Sequence, residues 1–389
     1  MEARKHTVIA AHTAIVVLVG LVLATAAACE TADGVAGAQQ DPGAYRDPGE
    51  EPALAPEYDP GEALAAEWGI GHPMVIAHRG ASGIAPESTR AAYEIARDLG
   101  ADYLEADIQQ TSDGELVAFH DDAGGENYLT RTSNVEDVFP DRTEDEIQDF
   151  TLDELRELDY GSWFNDEYPE YARDSYEGLG IVTLEELIEI AEEGGNNPGL
   201  YLETKSAPNH PGIEENMIET LEVAGWLPDG PDLNEPDHAG SGADPETNAP
   251  AVDYACGPAP IIFQSFHDGS VETLRNLAPD NVPVIHLLSG DVAEQAPVQT
   301  PPFASTTVLG ADGIGPWHGA FDSADDILEA NEHGLLVHHY TVNDTADMRG
   351  LRAAGSDGIF TDFPHLALEE YGLSPGEIDV GRITESLGY

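Results

Sequence analysis

Residues 103–121 read Tyr-Leu-Glu-Ala-Asp-Ile-Gln-Gln-Thr-Ser-Asp-Gly-Glu-Leu-Val-Ala-Phe-His-Asp. Glu105 and Asp107 lie two apart in a run typical of a β-strand, so their side chains leave the same face of that strand. A turn follows at residues 111–114, and a second apolar run leads to His120 and Asp121. Two carboxylates and an imidazole at the ends of two strands could form a metal site with an acid or base beside it. These two strands alone fit a solvated strand face with a turn histidine equally well.

Strands alternate with helices along the rest of the chain. Nine runs are predicted to be strands, at residues 75–77, 103–108, 115–119, 200–204, 261–266, 282–288, 309–314, 335–342 and 358–362. Such alternation implies parallel pairing with the helices outside. The gap between Ile108 and Glu115 is too short for a helical crossover, so one unit must be irregular. We predict an α/β fold, a slightly irregular TIM (β/α)8 barrel with a long insertion after the third strand.

Two observations bear on the choice of a barrel. An open doubly wound sheet is the alternative, but the sequence lacks the Gly-rich dinucleotide fingerprint. The polar residues cluster at the carboxyl ends of strands, where the sites of barrels form. Helix starts are predicted at Ser88, at Thr151 with Glu154, and at Thr183 with Glu186.

Before the barrel, the chain carries a targeting segment. Residues 1–29 have the basic start and apolar middle of a signal peptide and end in a lipobox-like Ala-Ala-Ala-Cys at Cys29. Plain secretion and an uncleaved membrane anchor are the alternatives. All three predict an extracytoplasmic protein, either a lipoprotein on the outer face of the cytoplasmic membrane or a secreted one.

The remaining boundaries follow from composition. Residues 30–68 are predicted to be a disordered acidic Pro/Gly-rich tether, residues 70–373 the barrel, and residues 374–389 a C-terminal tail. Insertions in the barrel are expected at about 122–181 and 227–260. Cys29 and Cys256 are the only cysteines, so no disulfide framework is expected.

The charge of the chain excludes some partners. With 15 basic and 75 acidic residues, the formal net charge is −60, which excludes an ordinary nucleic-acid binder and makes unaided binding to anionic membranes unfavourable. Membrane contact is therefore expected only through the N-terminal lipid or anchor. Lys5 and Lys205 are the only lysines, so we expect Lys205 to serve a specific task.

Seven polar residues stand at or near strand ends: His78, Arg79, Glu105, Asp107, His120, Glu203 and Lys205. Each could be structural by itself, but a barrel would bring all of them to one rim. The three acids are hard oxygen ligands suited to Ca²⁺ or Mg²⁺, and the sequence has no Cys cluster or HExxH motif for zinc.

The other four residues complete a chemical pattern. The planar guanidinium of Arg79 matches phosphate oxygens, and Lys205 adds a compact positive charge. His78 and His120 can divide proton removal and proton donation between them. The pattern predicts phosphoryl transfer. No Gly-x-Ser-x-Gly elbow is present to suggest acyl transfer.

These residues belong to motifs that resemble the glycerophosphodiester phosphodiesterase family. The motifs occur in family order over roughly residues 74–368: His78-Arg79-Gly80, Pro86-Glu87-Ser88-Thr89, Glu105-x-Asp107, Asp113-Gly114, His120-Asp121, Glu203-x-Lys205, Gln264-Ser265-Phe266, Thr341-Val342-Asn343 and residues 357–364, Asp-Gly-Ile-Phe-Thr-Asp-Phe-Pro. The insertion, with Leu129-Thr130-Arg131-Thr132, is similar to that of the secreted bacterial branch. Ser88 and Tyr340 depart from the pattern, where the family usually has Asn and often Trp.

The resemblance implies a role for each position. It implies a TIM barrel in which Glu105, Asp107 and Glu203 bind one divalent cation, with Ca²⁺ favoured over Mg²⁺. It implies catalytic roles for His78 and His120, and phosphate contacts from Arg79 and Lys205. Glu87 and Gln264 match motif positions that support the site.

The implied reaction is hydrolysis of a small-molecule glycerophosphodiester to glycerol 3-phosphate and an alcohol, through a cyclic phosphate. A phosphodiesterase for lysophospholipids or teichoic-acid-type polymers is one alternative. A non-catalytic lipoprotein that binds phosphate esters is the other. The oligomeric state is not predicted.

Overall fold

The computed structural model describes residues 59–122, 129–227, 261–289, 303–319, 321–374 and 376–389. The predicted signal peptide, most of the tether, nearly all of the 227–260 insertion and both cysteines lie outside the described residues, so these assignments stay predictions. Among the residues that are described, no helix has the length and apolar character needed to cross a membrane.

The described residues form ten β-strands: β1 (Met74–Ala77), β2 (Tyr103–Gln110), β3 (Leu116–Ala118), β4 (Val182–Thr183), β5 (Gly199–Thr204), β6 (Ile261–Ser265), β7 (Val284–Leu288), β8 (Gly313–Pro316), β9 (Leu336–His339) and β10 (Gly358–Thr361). All except β3 and β4 pair in parallel, and the sheet closes because β1 pairs with both β10 and β2. The predicted TIM barrel is confirmed.

The described α-helices are α1 (Pro60–Trp68), α2 (Arg90–Leu99), α3 (Val135–Val138), α4 (Leu152–Leu155), α5 (Ser162–Glu167), α6 (Leu184–Glu192), α7 (Ile213–Val223), α8 (Asp268–Leu277), α9 (Phe303–Leu309), α10 (Ala324–Glu332), α11 (Thr345–Ala354), α12 (Pro364–Tyr371) and α13 (Val380–Leu387). The capping boxes expected at Thr151 with Glu154 and at Thr183 with Glu186 are both present. Ser88 does not cap α2, because Thr89 occupies that position and its side chain accepts from the Ala92 N–H.

The predicted irregular unit is the hairpin of β2 and β3. β2 extends beyond the partner residues of β1, and its last residues, Ile108–Gln110, pair antiparallel with Leu116–Ala118 of β3. β3 in turn pairs antiparallel with β4. The predicted strand at residues 115–119, one more than a barrel needs, therefore belongs to this hairpin and not to the barrel wall, and the long insertion follows it as expected.

One predicted strand is misplaced. Residues 309–314 were expected to be extended, but Leu309 ends α9 and β8 begins only at Gly313. Gly310 adopts a left-handed backbone (φ 78°) that terminates the helix. A short apolar run beside glycine fits either a helix end or a strand, and here the helix takes its first half.

Alternation along the strands divides the barrel interior into two zones. The inward side chains nearer the strand starts form an apolar layer: Met74, Ile76, Tyr103, Tyr201, Ile262, Ile285, Leu336 and Phe360. Two residues further along the same faces stand Glu105, Glu203 and Gln264, at the carboxyl end of the barrel. The period of two thus places the acids directly above a buried apolar layer.

The amino-terminal end of the barrel is covered by α1. Asp59 caps this helix, Gly69 ends it in a left-handed conformation, and Ala65 packs with the apolar layer of the barrel. The tether predicted for residues 30–68 is therefore wrong for Pro60–Trp68. The composition suggested disorder because the apolar face of α1 is buried only by another part of the chain.

Gly61 allows α1 to approach the barrel closely. A Cβ at this position would stand 1.9 Å from Oδ1 of Asp357. Asp357 is buried and cannot easily retreat, because it accepts hydrogen bonds from Asn331 Nδ2 (2.8 Å) and the Val337 N–H (2.7 Å).

We expect Gly61→Ala to lower the free energy of unfolding by about 1–3 kcal/mol, because the added methyl group overpacks this contact. Urea denaturation would measure the loss. Gly350→Ala is a matched control in α11, where no atom of the described residues lies within 4 Å of the added Cβ. That variant should gain about 0.5–1 kcal/mol. Equal gains in both variants would contradict the close approach.

The tail predicted for residues 374–389 contains α13, which packs on α2. Ile383 and Leu387 lie against the main core, and Tyr389 Oη donates to Glu94 Oε2 at 2.6 Å. The spacing of Val380, Ile383 and Leu387 is that of one helix face, and this signal was overlooked in a short polar segment.

Candidate active site

One cavity of about 190 Å³ opens at the carboxyl end of the barrel. All seven residues predicted from strand ends line it, and Gln264 lines it as well. His78 and Arg79 follow β1, the acids lie on β2 and β5, and His120 follows β3. The sequence-based expectation that one rim gathers these side chains is met in the described residues.

Three acids form the floor of this cavity. Glu105, Asp107 and Glu203 are only 2%, 2% and 5% exposed, and each offers an oxygen within 4.8 Å of the others. Asp107 is opposite Glu203 in the parallel pairing of β2 and β5. Gln264, on the neighbouring strand, donates from Nε2 to Glu105 Oε1 at 3.2 Å.

The pKa values of these three acids indicate whether all of them can be ionised at once. Burial, together with the nearby Asp107, raises the pKa of Glu105 well above its usual range. Burial also raises the pKa of Glu203 to about 7. For Asp107, burial is outweighed by Lys205, His120 and Arg79, which hold its pKa below the usual value. Three carboxylates in this space are fully ionised only with further positive charge. Within the described residues Oδ2 of Asp107 accepts no hydrogen bond, although Arg79 Nε lies 3.2 Å from it. The donor set therefore fits a hard divalent cation.

Two permanent cations stand beside the acids. Lys205 Nζ lies 3.5 Å from Asp107 Oδ1 and 3.4 Å from Glu203 Oε1. Burial acts to lower the pKa of Lys205, but these two carboxylates raise it above its usual value, so the amine stays charged. The second cation is Arg79, whose backbone N–H donates to Glu105 Oε2 at 2.8 Å and whose Nη1 lies 3.1 Å from Glu87 Oε1.

Each histidine is held by a carboxylate through Nδ1. His78 Nδ1 lies 2.7 Å from Asp362 Oδ1, and Asp362 also accepts from Asn343 Nδ2 at 2.5 Å. His120 Nδ1 lies 2.9 Å from Asp121 Oδ1. With Nδ1 engaged in this way, Nε2 is the ring nitrogen left to exchange a proton with a substrate. Burial lowers the pKa of His120, which favours its neutral form near pH 7.

Sequence reasoning missed three residues of this network. Asp121 and Asp362 lie inside motifs that were recognised, but neither was assigned as the partner of a histidine. The third, Arg131, comes from the insertion. Its guanidinium contacts both Glu87 and Asp121. The insertion motif around Arg131 was noted in the sequence, yet nothing in its spacing predicts that contact.

Ser88 departs from the family pattern at a strained position. Its backbone is left-handed (φ 56°), its N–H donates to Arg79 O at 3.0 Å, and its side chain is buried. Asn is more common than Ser in that conformation, which gives a physical reason for the usual family residue. The backbone contact with Arg79 does not depend on the side chain.

Aromatic residues form one wall of the cavity. Phe266 and Tyr340 line it and contact each other edge to face, with centroids 5.7 Å apart. Tyr340 Oη donates to Leu288 O at 2.8 Å, which holds the ring in place. Trp317 and Phe321, near the ends of later strands, are not among the residues lining this cavity.

The parallel barrel with its site at the carboxyl end defines a TIM-barrel enzyme. Comparison with known proteins gives its family, because residues 78–366, which include every predicted site residue, match the Glycerophosphoryl diester phosphodiesterase family. The chain belongs to this family, and the resemblance seen in the sequence is confirmed.

The relatives agree on the activity. The chain is 35% identical over 293 residues to a glycerophosphodiester phosphodiesterase of Bacillus subtilis strain 168, with 75% of this chain and 84% of the relative covered. It is 29% identical over 297 residues to a glycerophosphodiester phosphodiesterase of Caldanaerobacter subterraneus subsp. tengcongensis, with 76% and 96% covered. The protein is an enzyme, a glycerophosphodiester phosphodiesterase.

A solved structure is similar in both sequence and fold. It is a phosphodiesterase of Oleispira antarctica in complex with the product sn-glycerol-3-phosphate, at 26% identity and a TM-score of 0.55. The match covers 77% of this chain and 97% of that one.

Proposed function

We propose that this enzyme hydrolyses small glycerophosphodiesters to glycerol 3-phosphate and an alcohol, with a divalent cation held by Glu105, Asp107 and Glu203. The observation that carries the proposal is the gathering of these three buried carboxylates in one cavity with two carboxylate-paired histidines. When bound, the cation would act as a Lewis acid toward the phosphoryl oxygens. Ca²⁺ is our first choice because a set of three protein carboxylates suits it, whereas Mg²⁺, the alternative, usually keeps several waters.

The two fixed cations would hold the substrate phosphate. Arg79 offers a planar fork of donors, and Lys205 adds a compact charge from the β5 side. Because both side chains also contact the acids, phosphate binding and the ionisation of the acid cluster affect each other. Negative charge that builds up on the phosphoryl oxygens would be stabilised by both groups.

The histidines would move the protons. One Nε2 takes the proton of the glycerol hydroxyl next to the phosphoester, and that oxygen forms a bond to phosphorus. The P–O bond to the alcohol breaks, and the other histidine donates a proton to the departing oxygen. Water then opens the cyclic phosphate to glycerol 3-phosphate. Both histidines have the same Nδ1–carboxylate arrangement, so their order of action is left open.

A substrate panel tests this route. Glycerophosphocholine should yield glycerol 3-phosphate, whereas an analogue with hydrogen in place of the neighbouring hydroxyl should react at least about 10³-fold more slowly, because it lacks the internal nucleophile. Equal rates would exclude the cyclic route. Parallel reactions with Ca²⁺ and Mg²⁺ would test the choice of cation.

The same panel addresses the alternative substrates. A cavity of about 190 Å³ suits a glycerol phosphate group better than a bulky polymer. Faster cleavage of lysophosphatidylcholine or polyglycerol phosphate than of glycerophosphocholine would favour those substrates. No turnover of any of the three would favour a non-catalytic binding protein.

A further inference from the structure

Arg131 occupies an unusual place between two carboxylates. Its Nε and Nη2 lie 2.6 and 3.2 Å from the two oxygens of Asp121. Its Nη1 and Nη2 lie 3.0 and 2.5 Å from the two oxygens of Glu87. One guanidinium thus makes a paired contact with each acid. Such planar, paired contacts restrict the orientation of a carboxylate as well as its position.

Each of these carboxylates also holds a residue of the active-site cavity. Asp121 Oδ1, which Arg131 contacts, lies 2.9 Å from His120 Nδ1. Glu87 Oε1, which Arg131 also contacts, lies 3.1 Å from Arg79 Nη1. Arg131 is therefore one contact away from a residue proposed to move a proton and from another proposed to bind phosphate.

The surroundings of Arg131 favour one fixed geometry. The side chains of Glu87 and Asp121 are 13% and 9% exposed, so water competes little for their oxygens. Trp163, on α5 of the insertion, lies 5.9 Å from the guanidinium. Burial would raise the pKa of Glu87, but Arg79 and Arg131 lower it to about 2, so this acid stays charged between them.

We propose that Arg131 is a positioning residue that aligns His120 through Asp121 and Arg79 through Glu87. This inference rests on the proposed function, since that function assigns His120 and Arg79 to the reaction. The insertion would then contribute to catalysis, because one of its residues sets the geometry of His120 and of Arg79.

The contact through Asp121 and the contact through Glu87 predict two separable effects. We expect Arg131→Met to lower kcat by about 10- to 100-fold through His120, and to raise KM and the Ki of glycerol 3-phosphate through Arg79 by a similar factor. Asp121→Asn should reproduce mainly the loss in kcat, and Glu87→Gln mainly the rise in Ki. Arg131 acts on His120 only through Asp121. The kcat losses of Arg131→Met and Asp121→Asn should therefore not multiply in the double variant.

The insertion provides a matched control in Arg142. Its side chain is 27% exposed, against 29% for Arg131, and it also bridges two acids, Asp145 at 2.7 Å and Glu154 at 3.0 Å. It packs over the Phe150 ring at 3.6 Å but contacts no site residue. Arg142→Met should lower stability while leaving kcat and KM unchanged.

Arg131→Lys is a second variant that keeps the test valid if Arg131→Met does not fold. The lysine keeps the charge, so the insertion should stay docked, but a single ammonium cannot make paired contacts with two carboxylates. We expect this variant to fold and still lose kcat at least about tenfold. Normal kcat and KM in folded Arg131→Lys and Arg131→Met would overturn the inference, as would fully multiplicative losses with Asp121→Asn. An inactive wild-type enzyme would instead count against the proposed function.

Discussion

Replacing His120 by alanine is expected to lower kcat by about 10²- to 10⁴-fold, the range found when a general acid or base is removed. The reason lies in its setting. Nδ1 is held 2.9 Å from Asp121 Oδ1, and burial lowers the pKa of the imidazole so that its neutral form is favoured near pH 7. The variant would remove the group proposed to transfer a proton while leaving the acids and cations of the cavity in place.

Steady-state kinetics with glycerophosphocholine would measure this loss, with circular dichroism to check the fold. His333→Ala is the control, because His333 is an exposed residue at the end of α10. That variant should keep the wild-type kcat. If His120→Ala retained more than about a tenth of the wild-type kcat, proton transfer by this residue would be excluded.

Replacing Glu203 by glutamine is the second change with a large expected effect. It removes one of three carboxylates from the cluster without changing its size. We expect activity to fall at least about 10³-fold, because the cation would lose a charged ligand and the remaining acids could not hold it in position. Chelation of the wild-type enzyme should cause a similar loss, and added Ca²⁺ should reverse it.

Cation binding can be followed without turnover. A cation that binds only the folded protein raises the melting temperature, and at a given concentration the rise is larger the tighter the cation binds. Wild-type enzyme should show this increase and Glu203→Gln should not. Glu189→Gln, at an exposed position on α6, controls for general counter-ion effects in a chain of net charge −60. An equal rise in melting temperature in all three proteins would rule out the proposed site.

The pH dependence of this binding has a defined sign. Glu203 has a pKa raised to about 7, so below that pH a proton must leave before a cation can bind. The cation-dependent rise in melting temperature should therefore shrink as the pH falls from about 8 to 6.

The barrel and most of its site were readable from local patterns. The alternation of strands and helices predicted parallel pairing, and a spacing of two placed Glu105 with Asp107 and Glu203 with Lys205 on common faces. Capping boxes at Thr151 and Thr183 marked helix starts because that signal involves only four consecutive residues. In each case the physical cause lies within one segment of chain.

Most of the features that escaped prediction depend on groups distant in sequence. Helix α1 is stable because its apolar face covers the end of the barrel, and its composition alone suggests disorder. Arg131 reaches Glu87 across 44 positions of sequence, and His78 pairs with Asp362 across 284. No periodicity or turn signal encodes such pairs. The His78–Asp362 pair exists because the closed barrel returns β10 to the side of β1, and the Arg131–Glu87 pair exists because the insertion contacts the loop after β1, so tertiary structure decides both.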